Sequence, residues 1–496
     1  MSARAQILAI DQGTTSTRAM LFDAAGRVRA RTQIELGQLY PRPGWVEHDP
    51  EEIWQSVIAT GREAAAAADG PIAALGIANQ RETTVLWERA TGRAVHNAIV
   101  WQDRRTTELC ARWQRDGLGE PVARRTGLVI DPYFSASKIV WLLDAVPGLR
   151  RRAERGEIAF GTIDSFLLWR LTGGRRHLTD VTNAARTMLF DIGHLAWDEA
   201  LLAGFGVPRA ILPEVCDTAA DFGTALPELF GAAIPVAALA GDQQAALIGQ
   251  GCFTPGMIKA TYGTGAFALV NLGPEPVASR HRLLTTIAYR LHGRTAYALE
   301  GSMFVAGAAL QWLRDRLGLI ATAAEAGPLA ARADFHQRVY FVPGFAGLGA
   351  PHWVPQARAA LYGLTAECGP AELVRAGLEA VGYQTRDLVA AMAADAGITL
   401  DTLRVDGGMT VSDWTMQFLA DILPATVERP QIVEATAWGA GYVAGLGAGI
   451  YPDPDTMAAR WRSERRFAPQ MPQAEREERY QGWQRAVAGV LAAAPR

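Results

Sequence analysis

The sequence predicts an α/β protein built from two duplicated lobes, each a mixed sheet flanked by helices. Three observations carry that expectation. The chain opens as an antiparallel meander, it then switches to alternating helix and strand, and a second meander of similar order begins just past the middle.

The opening meander reads as strands at Gln6–Ile10, Arg18–Asp23 and Arg27–Leu36, separated by a hydroxyl-rich turn and by Ala24–Gly26. A helix follows over Pro50–Ala68, then a strand over Ile72–Asn79 and a hairpin through Thr83–Glu88 and Thr91–Gly92. In the second half, strands at Gly256–Thr261 and Ala266–Asn271 flank Tyr262-Gly263-Thr264-Gly265. A lobe boundary near residue 250, at Gly249-Gln250-Gly251, gives domains of 1–250 and 251–496. The tail from Gln473 to Ala494 sets Trp483, Val487 and Val490 opposite its charges, as a docking helix does.

Composition narrows the function classes. At 496 residues and 49% hydrophobic, the chain can bury more than one core, and length suggests about two to four domains. A net charge of -3 and a pI near 6.3 provide no global field for nucleic acid or an anionic membrane. Lysine occurs only at Lys138 and Lys259 among 48 basic residues, which reads as compositional bias towards arginine. Cys110, Cys216, Cys252 and Cys368 lie too far apart for a CxxC motif and are too few for a disulfide framework. No apolar run approaches the roughly 18 residues that span a bilayer, and the start lacks a signal-peptide core. A cytoplasmic location is expected, with no membrane insertion. The eight histidines show no HExxH spacing and read as structural.

Three glycine-bearing turns could carry chemistry. Asp11-Gln12-Gly13-Thr14-Thr15-Ser16-Thr17-Arg18 lies between two strands, and no GxxxxGK[ST] loop exists in the chain. Gly13 lets backbone amides approach an anion, the hydroxyls add donors, and Arg18 adds charge. Asp11, at the end of a buried strand, needs a partner, and hydrated Mg²⁺ is a natural one. The alternative is an ordinary Ser/Thr-rich turn. The second element, Lys259-Ala260-Thr261-Tyr262-Gly263-Thr264-Gly265, repeats the theme. The third is the strand Leu403-Arg404-Val405-Asp406, which runs into Gly407-Gly408 and a helix over Ser412–Leu423. Asp242 follows the apolar strand Ile234–Ala240 and precedes a helix from Gln243 or Gln244, so it reads as either a ligand-facing carboxylate or an N-cap.

These elements resemble the actin-like (ribonuclease H-like) superfold, and more closely the FGGY family of carbohydrate kinases, especially its glycerol-phosphorylating members. The resemblance covers nearly the whole chain. It runs through Asp11–Arg18, PRPGWVEHDP (41–50), NQRETT (79–84), DPYFSASK (131–138), AGDQQAA (240–246), TYGTG (261–265), GLGAPHW (347–353) and VDGG (405–408). It implies transfer of the ATP γ-phosphoryl group to glycerol, with Mg²⁺, in a cleft between the lobes. Glycerol contacts are implied at Arg81, Glu82, Trp101, Tyr133, Asp242 and Gln243, with Asp242 as the base, and Asp11 and Asp242 beside the metal. Nucleotide contacts are implied at Thr14, Thr15, Ser16, Arg18, Thr264, Gly307, Gln311, Gly408 and Ser412. The residue types suit a triol, since Arg81 donates, the carboxylates accept and the rings cover carbon.

Two departures stand out. Position 412 is Ser where the family often has Asn, and Phe230-Gly231-Ala232-Ala233 lacks the arginine found in relatives inhibited by a sugar bisphosphate. Competing readings are a kinase for a pentulose, erythritol or gluconate, an actin-like or chaperone-like ATPase, and a non-catalytic sensor. Pentulose kinases usually carry Gln-Met-His-Gly near Gln80-Arg81-Glu82-Thr83, so its absence favours glycerol. A homodimer or homotetramer is expected.

Overall fold

The computed structural model describes residues 4–334, 336–345, 347–354 and 356–494. Strands β1 (Gln6–Gln12), β2 (Ser16–Asp23), β3 (Val28–Glu35), β4 (Ile72–Asn79), β5 (Thr224–Ala225) and β6 (Ile234–Gly241) form one sheet in the order β5-β6-β4-β1-β2-β3. The second sheet contains β7 (Ile258–Tyr262), β8 (Ala266–Gly273), β9 (Leu284–Leu291), β10 (Arg294–Met303), β11 (Thr402–Asp406), β12 (Thr426–Pro430) and β13 (Ser463–Phe467). Its order is β9-β10-β8-β7-β11-β12-β13.

Read from β13, the second sheet repeats the first strand for strand. In each, an antiparallel edge strand joins two parallel steps, followed by two antiparallel ones. Strand β9 is an addition beyond this shared order. The duplication expected from the two meanders is thus present in the hydrogen-bond ladders.

Helix α1 (Pro50–Ala66) starts where Asp49 accepts the Glu51 N–H and proline occupies the first turn. Its Ile53, Trp54 and Val57 join Leu8, Ile10 and Ala19 in the first core. The closing helix α5 (Gln473–Ala493) buries Trp483, Val487 and Val490 in the second core, as its pattern predicts. The Trp483 ring stacks on Tyr383 with centroids 5.3 Å apart.

The expected hairpin forms and gains a second partner. The segment Thr83–Gly92 does turn at Gly92, whose N–H meets Glu88 O at 2.8 Å. The return arm bridges Trp87 to Ala94 and Thr84 to Ile99, with Val95 N–H on Leu86 O at 2.9 Å, and Val85–Glu88 pairs in addition with Ile158–Gly161. That longer-range ladder buries Trp87 fully, a gain that a local hairpin could not supply.

The sequence halves do not pack as separate units. Helix α2 (Asp242–Gly249), from the first half, places Leu247 with Leu269, Ala296 and Ala298 of the second sheet. Helix α4 (Ala435–Gly447), from the second half, places Trp438, Tyr442 and Val443 with Ile7, Ala9 and Phe22 of the first. Between these two helices come α3 (Asp413–Ile422) and β12, which belong to the second lobe. The crossed pair α2 and α4 touch backbone to backbone. A Cβ added at Gly439 would stand 1.8 Å from Ala245 O, and one at Gly249 would stand 2.0 Å from Ala435 O. Only glycine permits that approach.

Candidate active site

Register brings three strand ends together. Gln12 of β1 lies opposite Asn79 of β4, and Asn79 opposite Gly241 of β6. The residues that follow, Gln80-Arg81-Glu82 and Asp242-Gln243, therefore leave the sheet level with the Gly13–Ser16 turn. Ligands gather at such carboxyl ends of parallel strands. Asp242 is the first residue of α2, so the helix begins one residue earlier than expected. Its cap is Gly241, and the Asp242 carboxylate accepts the Gln243 N–H at 2.7 Å.

All six residues expected at the acceptor line one cavity of about 220 Å³, together with Phe267, Thr14, Thr15 and Thr264. Trp101 and Tyr133 meet edge to face at 5.6 Å, and Trp101 packs likewise on Phe267 at 5.9 Å. The Trp101 indole N–H donates to Thr14 Oγ1 at 2.8 Å. That contact fills an acceptor lone pair, so the Thr14 hydroxyl proton is left to point at another acceptor.

Arg81 and Glu82 form the floor, both almost fully buried. Glu82 has φ +60, and Thr83 N–H reaches back to Arg81 O at 2.6 Å. This three-residue turn is uncommon for a non-glycine residue and costs on the order of 1 kcal/mol. Ser135 Oγ and Thr84 Oγ1, each donating to Glu82 O at 3.0 Å, hold it in place. The turn sends the two side chains into one buried lattice. Arg81 forks onto Glu300 of β10, with Nη2 to Oε1 at 3.1 Å and a shorter Nη1 to Oε2 contact. Arg186 bridges Glu82 Oε1 at 2.6 Å and Glu300 Oε1 at 2.8 Å. Arg81 Nε lies 3.3 Å from Asp242.

Sequence reasoning missed Arg186 and Glu300. The available signal was Glu300 itself, a lone carboxylate directly after the apolar stretch Ala296–Leu299, because a charge in such a strand demands a buried partner. Burial drives the Glu300 carboxyl up, yet Arg186 and Arg81 outweigh that and hold it below the usual range. Burial raises Asp242, opposed by Arg81 and Lys259. It pushes Asp11 up to about 7, against Arg18 and with help from the Asp242 charge.

The second cavity is larger, about 850 Å³, and is lined by Thr264, Gly307, Gln311, Gly408 and Ser412 with Leu310, Ile320, Met409 and Val411. It meets the acceptor cavity at Gly263 and Thr264, which line both. Gly407, at φ +93, sits so close to Tyr262 that a Cβ would lie 2.5 Å from its carbonyl, whereas a Cβ on Gly408 would meet nothing within 4 Å. The Ser412 hydroxyl caps α3, accepting from Thr415 N at 3.3 Å and Thr415 Oγ1 at 2.9 Å.

Asp11, Ser16 and Arg18 line neither cavity. Arg18 is held 2.7 Å from Glu434 and 3.3 Å from Asp11, with Nε and Nη2 on Gln33. The charge expected to face phosphate is met here by two carboxylates. Among the described residues, no group of three or more His, Cys, Asp or Glu could hold a metal ion, and no helix is long and apolar enough to cross a membrane.

The geometry is matched by known proteins. The chain is 60% identical over 491 residues to a glycerol kinase of Methylobacterium nodulans and 61% identical over 492 residues to one of Bradyrhizobium sp., each covering 98% of both chains. Its fold superposes on the crystal structure of Plasmodium falciparum glycerol kinase with ADP at a TM-score of 0.91, with 36% identity and 98% of each chain covered. Gluconate kinase from Lactobacillus acidophilus shares the fold at a TM-score of 0.89 and 21% identity, covering 99% of each chain. Residues 6–249 match the N-terminal domain, and 258–448 the C-terminal domain, of the FGGY family of carbohydrate kinases. With both halves matched to its two domains and relatives about 60% identical along nearly the whole length, the chain belongs to the FGGY family of carbohydrate kinases.

Proposed function

We propose that this chain transfers the γ-phosphoryl group of ATP to glycerol, giving sn-glycerol 3-phosphate. The observation that carries this reading is the junction of the two cavities at Gly263 and Thr264, with Asp242 on the acceptor side. A cavity of about 220 Å³ suits a small polyol, and the larger one suits a nucleotide. The extent of identity to glycerol kinases supports the acceptor.

Phosphoryl transfer asks mainly for alignment and charge compensation. Trp101, Tyr133 and Phe267 cover the carbon face of the acceptor, while Arg81 and Glu82 address its hydroxyls. Asp242 takes the proton of the attacking hydroxyl, and its burial favours that role by raising its affinity for the proton. Thr14 and Thr264 donate to the phosphates from opposite sides. Asp11 and Asp242 would hold Mg²⁺, since two partly buried carboxylates that repel one another suit a hydrated divalent ion. Bound there, it would neutralise charge on the phosphates. With Cys110, Cys216, Cys252 and Cys368 all free, we place the protein in a reducing cytoplasm.

The test pairs an acceptor panel with one substitution. With ATP and Mg²⁺, glycerol should be phosphorylated in preference to erythritol, gluconate and a pentulose, and ATP hydrolysis without acceptor should be slow. Asp242→Asn should lower glycerol turnover by about 10³-fold or more while leaving ATP binding by calorimetry nearly intact. Basal hydrolysis as fast as the glycerol-stimulated rate, or a fully active Asp242→Asn, would overturn the reading.

A further inference from the structure

Of 48 basic residues only Lys138 and Lys259 are lysine, and both are completely buried. Compositional bias explains why arginine took the surface. It does not explain why these two positions escaped. A lysine ammonium is a compact tetrahedral donor, whereas guanidinium is a longer planar fork, so lysine persists where geometry calls for a point. Lys138 illustrates this. Its three N–H groups meet the carbonyls of Pro132, Tyr133 and Phe134 at 2.5, 2.8 and 3.2 Å, which fixes the turn that carries Tyr133 into the acceptor cavity.

Lys259 is the second residue of β7, opposite Leu269 of β8 and Arg404 of β11. Its Nζ donates to Gln243 Oε1 at 2.5 Å and to Thr261 Oγ1 at 2.9 Å. Gln243 belongs to α2, and Thr261 leads into the Tyr262–Gly265 turn. Both line the acceptor cavity. Asp406 and Asp242 attract the ammonium, and Arg81 opposes them. An amide oxygen turned onto an ammonium leaves the NH₂ on the opposite prong, facing away from the lysine. Gln243 is therefore set as a donor towards the cavity, although its side chain could otherwise act either way.

We propose that Lys259 is a positioning residue for the acceptor: by occupying Gln243 Oε1 it presents the Gln243 amide as a donor to an acceptor oxygen and ties that contact to the second phosphate turn through Thr261. This rests on the acceptor reading above. It extends that reading to a residue that need not touch substrate.

The experiment is a double-mutant cycle on the full-length chain, with KM for glycerol and for ATP and kcat measured for Lys259→Met, Gln243→Ala and the pair. Lys259→Met should raise the glycerol KM by about 10-fold or more, leave the ATP KM within about 2-fold, and add little further change in the Gln243→Ala background. A purely structural role would instead shift both KM values and give additive losses, which overturns the proposal. An unchanged glycerol KM in Lys259→Met overturns it too. Gln243→Glu keeps Lys259 paired and so guards against a misfolded Lys259→Met. It should lose glycerol affinity because a carboxylate cannot donate, and wild-type affinity in that variant would refute the donor assignment. Absence of glycerol turnover by the wild type would count against the acceptor reading, not against Lys259.

Discussion

The two cavities that meet at Gly263 and Thr264 solve binding in opposite ways. The acceptor side is small and charged, and its charges are already engaged: Arg81 contacts Glu300, Asp242, Tyr133 and Gln244 before any ligand arrives. The cavity proposed for the nucleotide is about four times larger, with leucine, isoleucine and methionine on its walls and bare backbone at Gly307 and Gly408. Specificity for a small polar molecule needs donors and acceptors held at fixed points, because flexible ones lose entropy on binding. A large flat base needs surface and close backbone approach. Preorganised polarity and open apolar space therefore divide the labour across one shared turn.

Breaking the lattice should have the largest effect. Glu300→Gln removes the carboxylate shared by Arg81 and Arg186, leaving two buried cations short of a partner, a change that costs about 3 kcal/mol or more. The expected result is a lower melting temperature and a glycerol KM raised about 100-fold, with ATP affinity nearly unchanged in calorimetry. An equal loss of ATP affinity would show that the two cavities are not separable in this way.

The converse substitution is smaller. Gly408→Ala adds a methyl where nothing lies within 4 Å, so the fold should be unaffected while the floor of the larger cavity rises. The ATP KM should increase about 10-fold with the glycerol KM constant, in steady-state assays at saturating co-substrate. Gly407→Ala is a useful contrast, because its added Cβ would strike Tyr262 and the fold itself should suffer.

Least of all should follow from Ser412→Ala. Loss of the cap on α3 costs about 1 kcal/mol in thermal stability, and ATP affinity should change by only about 2- to 3-fold. A larger fall in ATP affinity would mean that the Ser412 hydroxyl leaves Thr415 to address the base.

Legibility in the sequence followed the range of the interactions. Asp242 was legible as a carboxylate at a strand end that could face a ligand or cap a helix, whereas Arg81 and Gln243 were reached through the resemblance to the FGGY family, because local spacing alone does not separate them from an ion pair and a helix start. Arg186 and Glu300 were not, since they lie 114 positions apart and meet only when the second sheet closes on the first. Arg18 was read as a charge for phosphate, but its pairing with Glu434 depends on α4 crossing back from the far end of the chain. The strand Val85–Glu88 was likewise placed with its local return, but its second partner Ile158–Gly161 lies too far along the chain for a local pattern to show.

By itself the sequence determined the two meanders, the glycine turns and the amphipathic tail, which follow from periodicity and local backbone preference, while the acceptor residues were named through the family resemblance. Tertiary structure alone decided that the halves exchange helices, that α2 and α4 cross at glycines, and that Lys259 reaches Gln243 Oε1. Those features join residues distant in the chain, and their energies come from close packing and burial of charge, which no local pattern encodes.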